Sequence, residues 1–342
     1  MRRITLEAKS GCCEILVGER LENLRDYASA PKVAAVTDSN VKHLLAPRFP
    51  KGEIIEVPVG EKAKALETVS MIYERLLSLE FERGSLLVGI GGGAVCDVAG
   101  FAAATYLRGI RTALVPTTLL AQADAAVGGK NGVNFKGYKN LVGTIRQPEL
   151  VLCDLDTLSG LPKSELRNGF SEIVKSAAIA DASLFSYLED HHAEAMALKR
   201  TAIEKCVHGA LAVKVKVVQE DENESGERRK LNFGHTLGHA VEKVTGRPHG
   251  ESISIGMAAA ARLSVARGRL SEKDAGRLLS LLEKMGLPTS AGVDASSALD
   301  AIRKDKKRQE EGINFVLLEG IGKAVVEKVS LSELEAVVND LH

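Results

Sequence analysis

The run SLLVGIGGGAVCDVAGFAAATYL, Ser85 to Leu107, decides the fold class. Ser85–Ile90 is short, rich in Leu, Val and Ile, and predicts a buried strand. It runs straight into Gly91-Gly92-Gly93, and Val98–Leu107 then reads as helix. A glycine run between strand and helix lets backbone N–H groups approach a phosphate, and the helix N-terminus adds positive potential. The spacing is not GxGxxG, because position 94 is Ala, so the usual dinucleotide fingerprint is absent. The plain alternative is a tight strand–helix turn. Three consecutive glycines followed by an acid near the helix start, Asp97, favour a nucleotide pyrophosphate.

Neighbouring segments repeat the alternation. Lys32–Thr37, Ile54–Pro58 and Thr112–Pro116 are further strand candidates, and Ala65–Leu79 places Leu66, Val69, Ile72, Tyr73, Leu76 and Leu77 at helical spacing. Strand, helix, strand in this order predicts an α/β domain: a parallel sheet with helices on both faces, Rossmann-like in its nucleotide binding. From about Leu158 the period changes. Helical stretches follow over Lys163–Ala180, Leu184–Val218, Asn232–Thr245 and Ser252–Arg267. Capping boxes stand at Ser271–Asp274 and Ser330–Glu333, and Ile313–Leu318 is one late strand. A chain of 342 residues exceeds one ordinary core. The prediction is an α/β N-terminal domain over residues 1–157 and a mainly α-helical C-terminal domain over 158–342.

Composition narrows the function classes. Lys+Arg and Asp+Glu are 45 each, so no global field points to nucleic acid or an anionic membrane. Trp is absent and aromatics are 4%, too few for base-stacking platforms. No uncharged apolar run approaches the roughly eighteen residues of a membrane span. The opening MRRITLEAKSG turns polar too soon for a signal peptide. Five cysteines, an odd number with no CxxC, argue against a disulfide framework or a Cys-zinc knuckle. A reducing cytoplasm is the expectation. Adjacent Cys12 and Cys13 should face opposite sides of a strand.

Chemistry gathers in RRKLNFGHTLGHAVEKVTGRPHGE, Arg228 to Glu251, where His235, His239 and His249 fall within fifteen residues. His235 and His239 are spaced i, i+4, so on a helix they share a face and can converge on one ion. This is not the HExxH pattern, since Thr236 and Leu237 follow His235. A helix face with satisfied core histidines is the alternative. The third histidine, in the polar Pro248–Glu251 turn, tips the reading to a metal site, for which two or three His plus a carboxylate is the general habit. Glu172 and Lys175 sit one helical turn apart, either a surface ion pair or the source of that carboxylate. Gln122–Asn134, with Gly128, Gly129 and Lys130, is followed by Lys139 and Asn140 and preceded by Arg108. It predicts a glycine-lined pocket for an anionic, oxygen-rich small molecule, the alternative being a solvated surface loop. Arg303–Arg308, RKDKKR, is by default a solvated basic face from which a lysine can close over a phosphate.

Taken in order, GGGAVCDVAGFAAATYLRG, VPTTLLAQADAAVGGKNGVN, KNLVG, ELRNGFSEIVK, DENESGERRKLNFGHTLGHAVE, HGESISIGM and DKK resemble the 3-dehydroquinate synthase family, over Asp38 to about Lys307. The resemblance implies conversion of the phosphorylated seven-carbon sugar acid DAHP to 3-dehydroquinate with release of phosphate, the second step of the shikimate pathway. It implies tightly held NAD and a divalent metal, zinc or cobalt. A hydroxyl is oxidised, phosphate is eliminated, the ketone is reduced back, the ring opens and an internal aldol closes the carbocycle. Transient oxidation acidifies the neighbouring C–H, and a metal on substrate oxygens polarises them. The family also suggests a homodimer with active sites near the interface.

Carried over position by position, the resemblance makes Glu172, His235 and His249 the metal ligands, with His239 a substrate- or water-binding neighbour. Spacing alone would instead pair His235 with His239. NAD contacts are implied for Asp38, Asn40, Glu61, Lys64, Gly92, Gly93, Asp97, Thr117, Thr118, Lys130 and Lys139. Asp124, Lys175 and Asn232 would surround the reacting hydroxyls. Lys214 and Arg228 would take the substrate carboxylate. Lys130, Asn140 and Lys306 would take the phosphate, with Arg108 reaching in from a second subunit. The leaving phosphate helps remove the proton in this family, so no strong protein base is required.

The chain departs from the family at Gly160, Cys96, Asn131 and Tyr138, where the family more often has Thr, a small residue, Thr and Gly. The segment between His235 and His249 is also a few residues shorter. Three rivals stand beside this reading: a sister sugar-phosphate cyclase, a metal-dependent polyol dehydrogenase, and a catalytically dead metabolite-binding subunit. Asn232, Lys130 and the intact GGK-x-GVN favour the dehydroquinate reaction, and retention of Glu172, His235 and His249 speaks against the dead subunit.

Overall fold

The computed structural model describes residues 1–290 and 312–339. The chain divides into two compact units, Met1–Leu161 and Pro162–His342.

The first unit carries β1 (Arg2–Ala8), β2 (Gly11–Val17), β3 (Val33–Asp38), β4 (Glu53–Val57), β5 (Leu86–Gly91), β6 (Arg111–Pro116), β7 (Lys130–Phe135), β8 (Tyr138–Ile145) and β9 (Leu150–Cys153). Seven of these form one sheet in the order β1-β2-β9-β6-β5-β3-β4. Every pairing in it is parallel except β1 with β2. Alternate residues of each strand feed opposite faces. Ala34, Val36 and Leu87 join Val69, Ile72 and Leu76 of the helix Leu66–Ser78 and Val95, Val98 and Ala102 of the helix Gly93–Thr105. Val33, Ala35, Leu86, Val88 and Ile90 pack on the other side with Leu21, Leu24 and Ala28. Each Val, Leu or Ile side chain among them contributes roughly 1.5–3 kcal/mol by leaving water. β3 pairs with β4 on one side and β5 on the other, so the order of winding reverses between β3 and β5. Open α/β sheets bind ligands beyond the carboxyl ends of strands at such a switch point.

Two hairpins of this unit escape the sequence reading. In β1–β2 the alternation of RRITLEA is half charged, though Cys12 is exposed and Cys13 buried as the strand period requires. In Gln122–Asn134, expected as a glycine-lined loop, residues from Lys130 onward instead form β7 and pair with β8. Gly132 and Gly143 face each other there. A Cβ on Gly132 would lie 2.5 Å from the Val142 carbonyl oxygen, so these glycines serve close strand approach rather than a turn.

The second unit is mainly helical: Lys163–Ala180, Ala182–Met196, Arg200–Glu220, His235–Thr245, His249–Ala266, Glu272–Lys284 and Leu331–Asn339, with an antiparallel hairpin of β10 (Ile313–Gly320) and β11 (Lys323–Val329). The expected late strand Ile313–Leu318 is thus one arm of a hairpin. The stretch Leu184–Val218 breaks into two helices because Leu198 turns left-handed at φ 55°. Asn232–Thr245 shortens, since Asn232 closes a 3-10 turn and left-handed Gly234 (φ 79°) precedes a helix that starts at His235. Ser252–Arg267 instead extends back: Pro248 caps a helix whose first residue is His249, so Pro248–Glu251 is a helix start and not a turn. Both helix starts are capped, with Asp274 N donating to Ser271 Oγ at 3.1 Å and Glu333 N to Ser330 Oγ at 3.3 Å, and at the second the box closes as Ser330 N donates to Glu333 Oε2 at 3.0 Å. Arg303–Arg308, Lys306 included, lies outside the described residues. Among the described residues no helix is long and apolar enough to cross a membrane.

Candidate active site

In the first unit the expected cofactor residues gather at the carboxyl ends of the strands. Thr117 N donates to Gly91 O at 2.9 Å and brings Thr117–Thr118 against the glycine turn. A Cβ on Gly92 would lie 3.2 Å from Thr118 Cγ2, and one on Gly91 would lie 2.7 Å from Val95 Cβ, so the turn is packed too closely for side chains. Gly92 caps the helix Gly93–Thr105, whose first N–H groups have no partner within the helix and suit an anion. Asp38 ends β3 and caps the next helix, its Oδ1 accepting from Asn40 N and Val41 N at 3.0 Å each. Buried Lys64 donates through Nζ to Asp97 Oδ2 and Asn140 Oδ1. Glu61 Oε1 accepts from Asn134 Nδ2 at 2.7 Å. Lys64, Asp97 and Asn140 are thereby linked by side-chain bonds, and Asn134, whose Oδ1 accepts from Asn140 N at 2.8 Å, joins Glu61 to them. Lys130 and Lys139 are exposed, and Lys130 lines a small pocket with Asp97, Arg146 and Gln147. Asp124 sits in a single π-helical turn, Ala121–Ala125, an irregularity common at functional sites. Arg108 stands exposed at a corner where Leu107 (φ 51°) and Arg108 (φ 62°) are both left-handed.

In the second unit Glu172 and Lys175 are each 1% exposed and ion-paired with one another. The surface-pair reading is therefore wrong. A pair this deep costs several kcal/mol of desolvation per ion before it is compensated. His235 Nε2 lies 3.8 Å and His249 Nε2 3.7 Å from Glu172 Oε1, and ligand atoms of the three residues all lie within 4.8 Å of one another. His235 Nδ1 faces Phe233 O at 3.1 Å, and His249 Nδ1 faces Glu242 Oε2 at 3.0 Å. These acceptors assign the ring proton to Nδ1 and leave both Nε2 lone pairs toward Glu172. Burial, with Lys175 and the other two histidines, holds the His235 imidazole well below its ordinary pKa. Burial also disfavours charge on His249, but the carboxylates of Glu242 and Glu172 outweigh it and raise that imidazole. Two imidazole nitrogens and one carboxylate oxygen fit a zinc-like divalent ion with open positions for substrate.

Glycines make this convergence. The helices His235–Thr245 and His249–Ala266 cross so tightly that a Cβ on Gly256 would lie 1.9 Å from Gly234 O. Gly250 N donates to Asn168 Oδ1 at 3.1 Å, which docks the start of the second helix one turn before Glu172. His239 is exposed on the same helix face as His235, with ring centroids 5.3 Å apart. It groups with Glu242 and His249. Lys214 and Arg228 are buried. Arg228 is held by Nη1 to Glu222 O at 2.6 Å and by its backbone N to Asp221 Oδ2 at 3.1 Å. Asn232 Nδ2 donates to Glu224 Oε1 at 2.5 Å.

Sequence reasoning passed over Asp221, Glu242 and Asn134. Burial alone would raise the Asp221 carboxyl, yet the N–H groups of Gly226, Ser225 and Arg228 hold it well below the usual carboxylate range. Glu242 lies seven residues after His235 on the same helix face, a spacing that was there to be read.

Residues 54–168 match a family model described as 3-dehydroquinate synthase N-terminal, and residues 169–308 match the C-terminal model of the same enzyme. A 3-dehydroquinate synthase of Geobacter metallireducens is 44% identical over 289 residues, covering 83% of this chain and 80% of its own. A 2-deoxy-scyllo-inosose synthase solved with carbaglucose-6-phosphate, NAD+ and Co2+ superposes with a TM-score of 0.91 at 29% identity over 100% of both chains. A 2-epi-5-epi-valiolone synthase from Streptomyces hygroscopicus, with NAD+ and Zn2+ bound, gives 0.88 at 29% identity over 98% of both.

Proposed function

The chain belongs to the 3-dehydroquinate synthase family, and on that premise we propose how its own residues carry the family reaction. It is a carbon–oxygen lyase that releases phosphate from DAHP to form 3-dehydroquinate. Its cofactors, NAD and a divalent zinc or cobalt ion, supply transient hydroxyl oxidation and Lewis-acid polarisation of substrate oxygens when bound. The observation that carries the residue assignment is the convergence of His235 Nε2 and His249 Nε2 on Glu172 Oε1. Glu172, His235 and His249 hold the ion, each imidazole oriented through its Nδ1.

Lys175, buried against Glu172, together with Asp124, Asn232 and His239, addresses the reacting hydroxyls. Lys214 and Arg228 take the substrate carboxylate; the carbonyl of Glu222 and the carboxylate of Asp221 hold Arg228 rigid for that task. Lys130, Asn140 and Lys306 take the phosphate, completed by Arg108 from the second subunit of a homodimer. Gly92 and Gly93, with Asp38, Asn40, Glu61, Lys64, Asp97, Thr117, Thr118, Lys130 and Lys139, would hold NAD. Cofactor binding thus falls to residues 1–157, which also lend Arg108, Asp124, Lys130 and Asn140 to the substrate, and metal binding with the remaining substrate contacts to residues 158–342, in a cytoplasmic enzyme.

Sister cyclases on this scaffold take other sugar phosphates, so substrate choice is the test. Phosphate release from DAHP should exceed that from sedoheptulose 7-phosphate or glucose 6-phosphate by roughly a hundredfold or more in kcat/KM. A preference for either of the latter would assign the chain to a sister reaction.

A further inference from the structure

Asn134 sits where the β7–β8 register shifts, between Val133, paired with Val142, and Phe135, paired with Tyr138. A bulge takes a side chain out of the ladder and re-aims it. Here the re-aimed amide bonds in two directions. Its Nδ2 donates to Glu61 Oε1 at 2.7 Å, and its Oδ1 accepts from Asn140 N at 2.8 Å. Its backbone N donates to Lys64 O at 2.9 Å, which ties the bulge to the 3-10 turn that carries Glu61. Asn140 is left-handed at φ 54°, a conformation that a non-glycine residue keeps only when its surroundings hold it. Lys64 Nζ closes the ring by donating to Asn140 Oδ1 and to Asp97 Oδ2. A cation at Oδ1 fixes which way the Asn140 amide faces. Its NH2 end is then what it turns to a ligand, the donor an anionic oxygen needs.

We propose that Asn134 is a positioning residue that ties the cofactor-side carboxylate of Glu61 to the phosphate-side amide of Asn140. One side chain then sets both contacts, and a disturbance at either end is felt at the other. The proposal rests on the roles given above to Glu61 and Asn140.

The test is a mutant cycle on the NAD- and metal-loaded enzyme: Asn134→Ala, Asn134→Asp, Glu61→Gln and the double variant Asn134→Asp with Glu61→Gln. Asn134→Asp keeps an acceptor for Asn140 N but sets two carboxylates against each other. Glu61→Gln in the same chain restores a donor–acceptor pair with its direction reversed. Asn134→Ala and Asn134→Asp should each raise KM for DAHP about tenfold, with kcat and melting temperature nearly unchanged. The double variant should return KM to within about twofold of Glu61→Gln alone. NAD affinity, titrated by calorimetry, should follow the same pattern. A wild-type-like KM in Asn134→Ala, no relief in the double variant, or losses that merely track the melting temperature would overturn it. Were the wild-type chain to bind NAD yet release no phosphate from DAHP, the substrate reading would fall. The calorimetric cycle would still decide the Glu61–Asn134 link.

Discussion

Two imidazole Nε2 atoms reach Glu172 because the Phe233 carbonyl holds one Nδ1 and the Glu242 carboxylate holds the other. On the proposed assignment, Glu172→Ala or His235→Ala removes one of three protein donors. Bound zinc after dialysis should fall from about one per chain to about a tenth or less, and phosphate release should drop about a thousandfold. Unchanged metal content in both variants would place the ion elsewhere. Glu242→Ala leaves the donors in place and frees the His249 ring, so metal affinity by chelator competition should weaken about 10–100-fold. Glu242→Gln, which keeps an acceptor, should lose less. The histidines were legible because histidine is scarce here and its spacing carries chemistry. Glu172 was legible from spacing only as one of two alternatives, since an i, i+3 Glu–Lys pair reads first as a surface bridge, and the resemblance chose between them. Glu242, Asp221 and Asn134 act through other residues; Glu242 offered only its spacing of seven from His235, and nothing in the immediate sequence of Asp221 and Asn134 sets them apart from solvated polar side chains.

Elements set these residues by close approach more than by propensity. A Cβ at Gly256 would sit 1.9 Å from Gly234 O, so Gly256→Ala must push the two histidine-bearing helices apart. Urea unfolding should show a loss of about 1–3 kcal/mol, and the metal should be held less tightly. An unchanged midpoint would mean that the helix contact is looser than described. The last helix depends on charge. Ser330 Oγ and N, with Arg267, hold the Glu333 carboxyl down to about 2 from 4.5. Its folded pKa lies below its unfolded one, so its contribution is fully present above about pH 4.5 and is lost as pH falls toward 2. Glu333→Gln should remove that part of the acid dependence of unfolding, and a wild-type-like acid profile in the variant would contradict it. The parallel strands β3 to β6 and this capping box were legible because each has a local pattern, whereas the four-residue β9 was missed. The breaks at Leu198 and Gly234 were not, because left-handed backbone at a leucine leaves no mark in composition and apolar spacing runs through it. β7 was missed for the reverse reason: its glycines read as a turn, whereas they admit a neighbouring strand.

At the scale of the whole molecule, the α/β unit and the helical unit follow from a change of hydrophobic period near residue 158. The alternation of strand and helix gave the parallel sheet, but no periodicity names a reaction; that came from long motifs in a fixed order. The chemistry also sets an accounting rule. A cyclase that oxidises a hydroxyl and later reduces the ketone returns its NAD unchanged each turn, whereas a polyol dehydrogenase on the same scaffold accumulates NADH. The most direct measurement is therefore phosphate release from DAHP with NAD far below substrate, followed together with NADH, before and after an EDTA soak. The account predicts many turnovers per NAD, 3-dehydroquinate equal to the phosphate released, no net NADH, loss of turnover with EDTA and its return with zinc or cobalt. Phosphate release that survives removal of the metal, or NADH that rises in step with product, would contradict it.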